Sequence, residues 1–353
     1  MNLKDFIGGL ISSPADNPTA FPVQPESQAK QKQFSTPFKE YEHYFVVEIN
    51  EMFLSEKVKW FREYTPVVYT TTCFQYGKTT VETPFVVGPT LLQAQMKDLA
   101  KDLLLRNTTI AGWHPYAGGT ITLTILLCKA VADDYINRTF RAIEKISGVF
   151  GPASIAAMGS AINMSRVIVE GVNELVDSKG IEGIALFRKD FDPNKSEGFY
   201  PGYYLLLDKM IGEEEQKNFI VRDDQLFYIE NGKTVPYRQT NYVLFSIQQH
   251  EARTDYEKFP FFQYFERAEE MAARKPLSDA KIQEIQDQLS ALYIAMLQSP
   301  DLTESHANLL MDSFVSKVQK IKDRNFTLKE AVRMSEDAKN GYTREMSNRI
   351  RAI

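Results

Sequence analysis

The residues best equipped for chemistry are few. In a chain of 353 residues there are four histidines, His43, His114, His250 and His306, and two cysteines, Cys73 and Cys128. A protein metal site needs imidazole, thiolate or carboxylate donors whose spacing brings them together. No two of the histidines stand at ligand spacing on one element, and the cysteines form no C-x-x-C pair. His250-Glu251 opens like the H-E-x-x-H motif of zinc peptidases, but Thr254 occupies the second ligand position. Ser160 follows Gly159, yet Ile162 stands where a nucleophile elbow requires glycine. A Cys–His pair assembled in space, with Cys73 or Cys128 beside His114 or His250, would make a hydrolase and is the one catalytic arrangement left open. Asp133-Asp134 and Asp223-Asp224 are adjacent carboxylates, better suited to capping a helix and making a turn than to acid–base work. Neither G-x-x-x-x-G-K-[ST] nor G-x-G-x-x-G occurs, and Gly118-Gly119 leads into a strand rather than a helix N-terminus. No catalytic residue, metal or cofactor is expected, and the balance leans away from an enzyme.

The elements that would have to position such groups are legible from periodicity. Tyr44–Ile49 is rich in aromatic and β-branched residues, and Val67–Phe74 and Thr79–Val87 flank a Tyr76-Gly77-Lys78 turn, which predicts a hairpin. Leu92, Met96, Leu99 and Leu103 recur at helical spacing and predict a helix over Leu91–Leu105. The turn-rich Trp113–Gly119 precedes Thr120–Leu127, a continuous apolar run of the kind found in strands covered on both faces. Asp133 or Asp134 would cap a helix that turns Tyr135, Ile136, Phe140, Ile143 and Ile146 inward. Short strands are expected at Ile184–Phe187, Tyr203–Leu207, Phe219–Arg222, Leu226–Ile229 and Tyr242–Ile247, with turns at Asp223-Asp224 and Asn231-Gly232. Ile282, Ile285, Leu289, Leu292 and Met296 then mark a helix that Ser299-Pro300 ends. Asp301 with Glu304 predicts a capping box for a second helix carrying Leu310, Phe314, Val318 and Ile321, and Thr327 with Glu330 predicts a third. The class is α+β. Residues 1–40 read as an amphipathic peptide and Pro-rich linker, 41–180 as a mixed α/β domain, 181–258 as a β-meander and 259–353 as a helical region, within which 276–353 form a helical hairpin plus a tail.

Two segments bear on partners. Leu3, Phe6, Ile7, Leu10 and Ile11 make one apolar face of a short helix, followed by a linker punctuated by Pro14, Pro18, Pro22 and Pro25. A helix of three turns is marginal in water and needs a surface to lie on. That surface would be the chain's own body, another protein or a membrane. The last is disfavoured because Asp5 cancels the charge of Lys4. Residues 146–165 carry no charge, but Gly148, Gly151, Pro152 and Asn163 interrupt them. A buried helix packed through Ala153, Ala156, Ala157 and Gly159 is the better reading, with conditional membrane insertion as the alternative.

Net charge is -5 and the pI about 5.6, a balance that argues against a nucleic-acid partner, whose phosphates demand clustered Lys and Arg. Without a secretory leader pattern the two thiols read as free cysteines of a reducing compartment. A cytoplasmic protein is expected, with attachment to the inner membrane surface as a variant. Aromatic clusters at Phe199–Tyr204 and Phe259–Phe265 fit core packing first and an aromatic interface second.

The order helix, Trp113–Gly119 turn, apolar strand, Asp133-Asp134-Tyr135 helix and Gly/Ala-rich helix over 88–180 resembles uncharacterised accessory proteins encoded beside caspase-like peptidases in bacterial conflict systems. Pro201-Gly202-Tyr203-Tyr204 and Asn241-Tyr242-Val243-Leu244-Phe245 fit the same likeness. The resemblance implies an anti-phage setting and a protein partner, and it assigns no catalytic residue. The sequence thus points to an interaction or assembly component that works through the Leu3–Ile11 face and the C-terminal helices, by self-assembly or with a protein partner. The alternatives are a membrane-active effector using 1–13 or 146–165 and a Cys–His hydrolase.

Overall fold

The computed structural model describes residues 20–55, 64–95, 103–131, 181–193, 198–274 and 277–338, with Asp5 and short helical stretches within 138–143 and 168–176; side chains are described to residue 322. The fold is α+β, and the chain divides into two compact units, residues 1–253 and 254–353.

The first unit is built on strands: β1 (Ala20–Pro25), β2 (Tyr44–Phe53), β3 (Tyr64–Tyr76), β4 (Thr79–Val87), β5 (Leu103–Pro115), β6 (Ile121–Val131), β7 (Ile181–Phe191), β8 (Gly202–Leu207), β9 (Phe219–Arg222), β10 (Gln225–Glu230), β11 (Lys233–Pro236) and β12 (Tyr242–His250). Besides the helical stretches within 138–143 and 168–176, the described residues include three short helices: α1 (Gln28–Phe34), α2 (Pro89–Gln95) and α3 (Glu213–Gln216). One sheet has the order β4-β3-β6-β7, and the other has the order β11-β10-β9-β1-β8-β12-β2-β5.

The larger sheet turns at β1. Residues 20–23 pair antiparallel with β8, while Gln24 and Pro25 pair parallel with β9. The turn lays β9–β11 over the β8–β12–β2 layer, so that layer is covered on both faces. Strand alternation sorts its side chains accordingly. Tyr204, Leu206, Val243, Phe245, Phe45, Val47 and Ile49 join the four-stranded sheet in the main core. Tyr203, Leu205, Leu207, Tyr242, Leu244 and Phe53 meet Phe219, Val221 and Leu226 in a second core. Burial on both faces is why these strands read as unbroken apolar runs. Ile143, Ile168, Val172 and Val176, from the helical stretches, add to the main core.

Several expectations are corrected. Residues 20–40 are not linker: β1 alternates exposed and buried, with Phe21 and Val23 inward. Its prolines are tolerated because the strand hands over from one neighbour to the other midway, so part of each edge needs no donor. The helix expected over Leu91–Leu105 ends at Gln95 in the described residues, and Leu103 already belongs to β5. No boundary falls at 180/181, since β7 pairs along its length with β6. Residues 181–258 are not a meander as a whole. Only β9–β11 is, while β8 and β12 are central strands pairing with each other and with β1 and β2.

Among the described residues the second unit contains a 3-10 turn (Tyr256–Lys258) and helices α4 (Phe262–Ala273), α5 (Asp279–Gln298) and α6 (Glu304–Ala338). These three helices share a core of Phe261, Phe265, Ala268, Leu292, Met296, Ala307 and Phe314, in which the Phe265 and Phe314 rings stack at 4.2 Å. Ser278 caps α5 by accepting from the Lys281 backbone N–H. Thr303, not Asp301, caps α6: its Oγ1 accepts from the His306 N–H at 3.2 Å. Thr327 begins no new helix, because α6 runs unbroken through it for 35 residues.

Candidate functional site

The five residues of the apolar N-terminal face, Leu3, Phe6, Ile7, Leu10 and Ile11, lie outside the described residues, as does the 146–165 segment. Among the described residues no helix is long and apolar enough to cross a membrane.

The catalytic alternative can be placed. His114, near the end of β5, sits opposite Phe45 of β2, its ring 4.2 Å from Phe74 and 5.4 Å from Phe45. Cys73 precedes Phe74 on β3, so strand alternation turns its side chain to the other face, where it is partly exposed. Cys128 pairs with Val67, while Phe74 lies seven residues further along β3, roughly 20 Å away at strand rise. Burial pushes both thiols up, and Glu82 and Asp190 add to the effect at Cys73, the opposite of nucleophile activation. Nothing in this geometry favours a Cys–His nucleophile.

The structure instead brings three histidines to one end of the central layer, where β2 begins and β5 and β12 end. His250 pairs with Tyr44 and its ring lies 4.4 Å from Trp113. Trp113 has φ +46°, an uncommon conformation for a bulky residue, and its carbonyl accepts from the buried Arg253 guanidinium at 3.2 Å. Arg253 also lies over the Tyr44 ring. His43 Nδ1 accepts from the Lys39 N–H at 2.9 Å. Burial lowers the pKa of all three imidazoles. For His114 burial and then the Arg253 charge push it down to about 3, and neither of its ring nitrogens has a hydrogen-bond partner. Uncharged at neutral pH and among the described residues joined by no metal-binding cluster, these histidines close the sheet end by packing.

Two charged clusters on the opposite face escaped the sequence reading. Glu51 on β2 is fully buried; it pairs with Arg238 and accepts from the Leu226 N–H at 2.8 Å, tying β10 across β2. Burial raises its pKa and the Arg238 charge pulls it back. Arg238 also donates to the Tyr242 hydroxyl and the Tyr237 carbonyl. Nearer the edge, Asp224 accepts from Lys30 at 2.8 Å and from the Tyr203 hydroxyl. Burial pushes the Asp224 carboxyl up, but the hydrogen bonds from Lys30 and Tyr203 hold it below its ordinary value. The Tyr203 phenol is pushed up to about 12 by burial and by Asp224, so it is no base at neutral pH. One signal was available: Glu48 and Glu51 interrupt the apolar run of β2, and a carboxylate inside a strand buried on both faces must have a partner.

Surface apolarity is concentrated in the second unit. Of eight exposed large hydrophobic residues among those described, four are on α5 and α6: Ile294 (54% exposed), Leu297 (46%), Leu309 (58%) and Val315 (44%). The Tyr293 hydroxyl donates to Asn308 Oδ1 at 2.6 Å and fixes the two helices side by side at this end. No family model, curated protein or solved structure matches the chain.

Proposed function

We propose that the protein is a non-enzymatic interaction or assembly component and that the α5–α6 end of the second unit is a contact surface. The observation that carries this is that Ile294, Leu297, Leu309 and Val315, four of the eight exposed large hydrophobic residues among those described, fall on α5 and α6, in a unit with its own apolar core. Exposed apolar groups gathered together mark interaction sites, whereas scattered ones need no explanation. The charged clusters of the first unit support the reading from the other side. Glu51–Arg238 and Lys30–Tyr203–Asp224 are engaged internally, in joining strands and helix to the sheet. The likeness to accessory proteins of bacterial conflict systems suggests an anti-phage setting, and the Leu3–Ile11 face offers a second, tethered contact.

The test is the mass of the full chain by light scattering over a range of concentrations, alone and with the product of a neighbouring gene. Leu297→Glu with Leu309→Glu is expected to abolish association while leaving helical content unchanged. Association untouched by this pair would remove the surface, and association untouched by deletion of residues 1–13 would remove the tether.

A further inference from the structure

Between α1 and β2 the chain crosses the histidine-lined end of the central layer as a strap, residues 35–43. Backbone hydrogen bonds tie it down. The Phe38 N–H donates to the Phe199 carbonyl at 2.9 Å, the Tyr41 N–H donates to the Tyr116 carbonyl at 2.8 Å, and the Tyr116 N–H donates to the His43 carbonyl at 2.9 Å. The buried Phe38 ring stacks on Phe199 at 4.1 Å and meets Tyr116 at 6.0 Å. Tyr41 holds φ +60°, a left-handed conformation that is costly for a bulky residue, so the closed strap works against strain. Its far end is held through one imidazole nitrogen. His43 Nδ1 accepts from the Lys39 N–H at 2.9 Å and lies 3.1 Å from Gln249 Nε2, which also donates to the Pro37 carbonyl at 3.0 Å. A backbone N–H can only donate, so Nδ1 is an acceptor and the neutral ring carries its proton on Nε2. A second proton has only Nδ1 to go to, and there it faces two donors. Charging the ring therefore breaks both bonds at once.

We propose that residues 35–43 form a pH-responsive strap, closed at neutral pH and released in mildly acidic surroundings when His43 takes a proton on Nδ1, uncovering the aromatic end of the main core around Phe45, Tyr116 and Phe199. The proposal is independent of the α5–α6 contact surface. The charges acting on the ring from the described residues are Glu42 and Lys39 on the strap, already paired with each other at 3.1 Å, and Glu251 just beyond β12. From β5, the turn after it and β12 come His114, Tyr116 and His250, all uncharged at neutral pH, and Arg253 acts on His114. Burial lowers the His43 pKa and Lys39 adds to the effect, while Glu42 and Glu251 oppose it without overcoming it. The released strap has an ordinary imidazole of pKa about 6.5. It takes up a proton that the closed strap refuses, so release is favoured as the pH falls below about 6.5.

The test is hydrogen exchange of the full chain at pH 7.5 and pH 5.0, each amide referred to its intrinsic rate at that pH. The Phe38, Lys39 and Tyr41 amides should be less protected than those of residues 243–247 at both values, as local opening requires. Their protection should fall severalfold at pH 5.0, and by no more than about thirtyfold, the limit for one group of ordinary pKa about 6.5. His43→Gln keeps an acceptor for the Lys39 N–H and should hold the strap at both values, whereas His114→Gln should leave the response in place. Nitrogen NMR of the His43 ring needs no variant: the Nε2–H tautomer is expected at neutral pH, with charging that tracks the loss of Tyr41 protection. Strap amides still protected at pH 5.0, an equal fall in His43→Gln, a response that vanishes with His114→Gln instead, or an Nδ1–H tautomer would each overturn the proposal.

Discussion

At the scale of single residues, the buried polar groups decide what the molecule tolerates. His114 has a folded pKa of about 3 against about 6.5 when unfolded. Between those values the unfolded chain binds a proton that the folded chain refuses. Stability therefore falls as pH drops below about 6.5, with on the order of 4 kcal/mol at stake by pH 3. His43 and His250, also depressed by burial, act in the same direction. Urea titrations at pH 7 and pH 4.5 should show a markedly smaller loss for His114→Gln than for the parent; equal losses would mean that His114 is solvated. Glu51 makes the second case. Arg238→Leu leaves a carboxylate buried without its cation and should cost about 3–5 kcal/mol. Adding Glu51→Gln removes the charge but keeps an acceptor for the Leu226 N–H, and should restore at least half of the loss. If the double variant is no better than the single one, the ion pair is not what the site needs.

At the scale of elements, strands with one clear period were legible and those with conflicting signals were not. The β3–β4 hairpin, β6 and five of the six described strands after residue 180, all but β11, follow from apolar runs and turn residues in the sequence. The misread segments carried a stronger competing signal. The prolines around β1 masked its two-residue alternation, and Leu103 fitted a helical stripe although it starts a strand. The sheet-end cluster was invisible because His43, Trp113, His250 and Arg253 meet only once β2, β5 and β12 are aligned. The structural account of β1 can be measured directly. Phe21 is buried and packs edge-on against Phe219 at 5.6 Å, so Phe21→Ala should cost about 3 kcal/mol in urea unfolding, where a linker residue would cost almost nothing.

At the scale of the whole molecule, two units with separate apolar cores imply two folding units. The chain passes from one to the other at Arg253, whose side chain belongs to the first. Fragments 1–253 and 254–353, expressed separately, should each give a cooperative thermal transition, the second with helical circular dichroism. Failure of the helical fragment to fold alone would show that its core depends on the first unit. The interaction reading gains from this division, because a small unit with its own core can carry a contact surface without disturbing the sheet.

The place of β1 also has a consequence in time. Its six residues are made before every other described strand, yet among the described strands they pair with β8 and β9, which follow after most of the first unit has been made. On the ribosome this strand must wait with Phe21 and Val23 uncovered while its partners are synthesised. Loop closure over that span makes its docking intrinsically slow. Completion of the larger sheet is therefore a late, non-local step. A chain interrupted before residue 202 would present β1 and the edge of β2 that β12 later covers to whatever chaperone or stray strand arrives first.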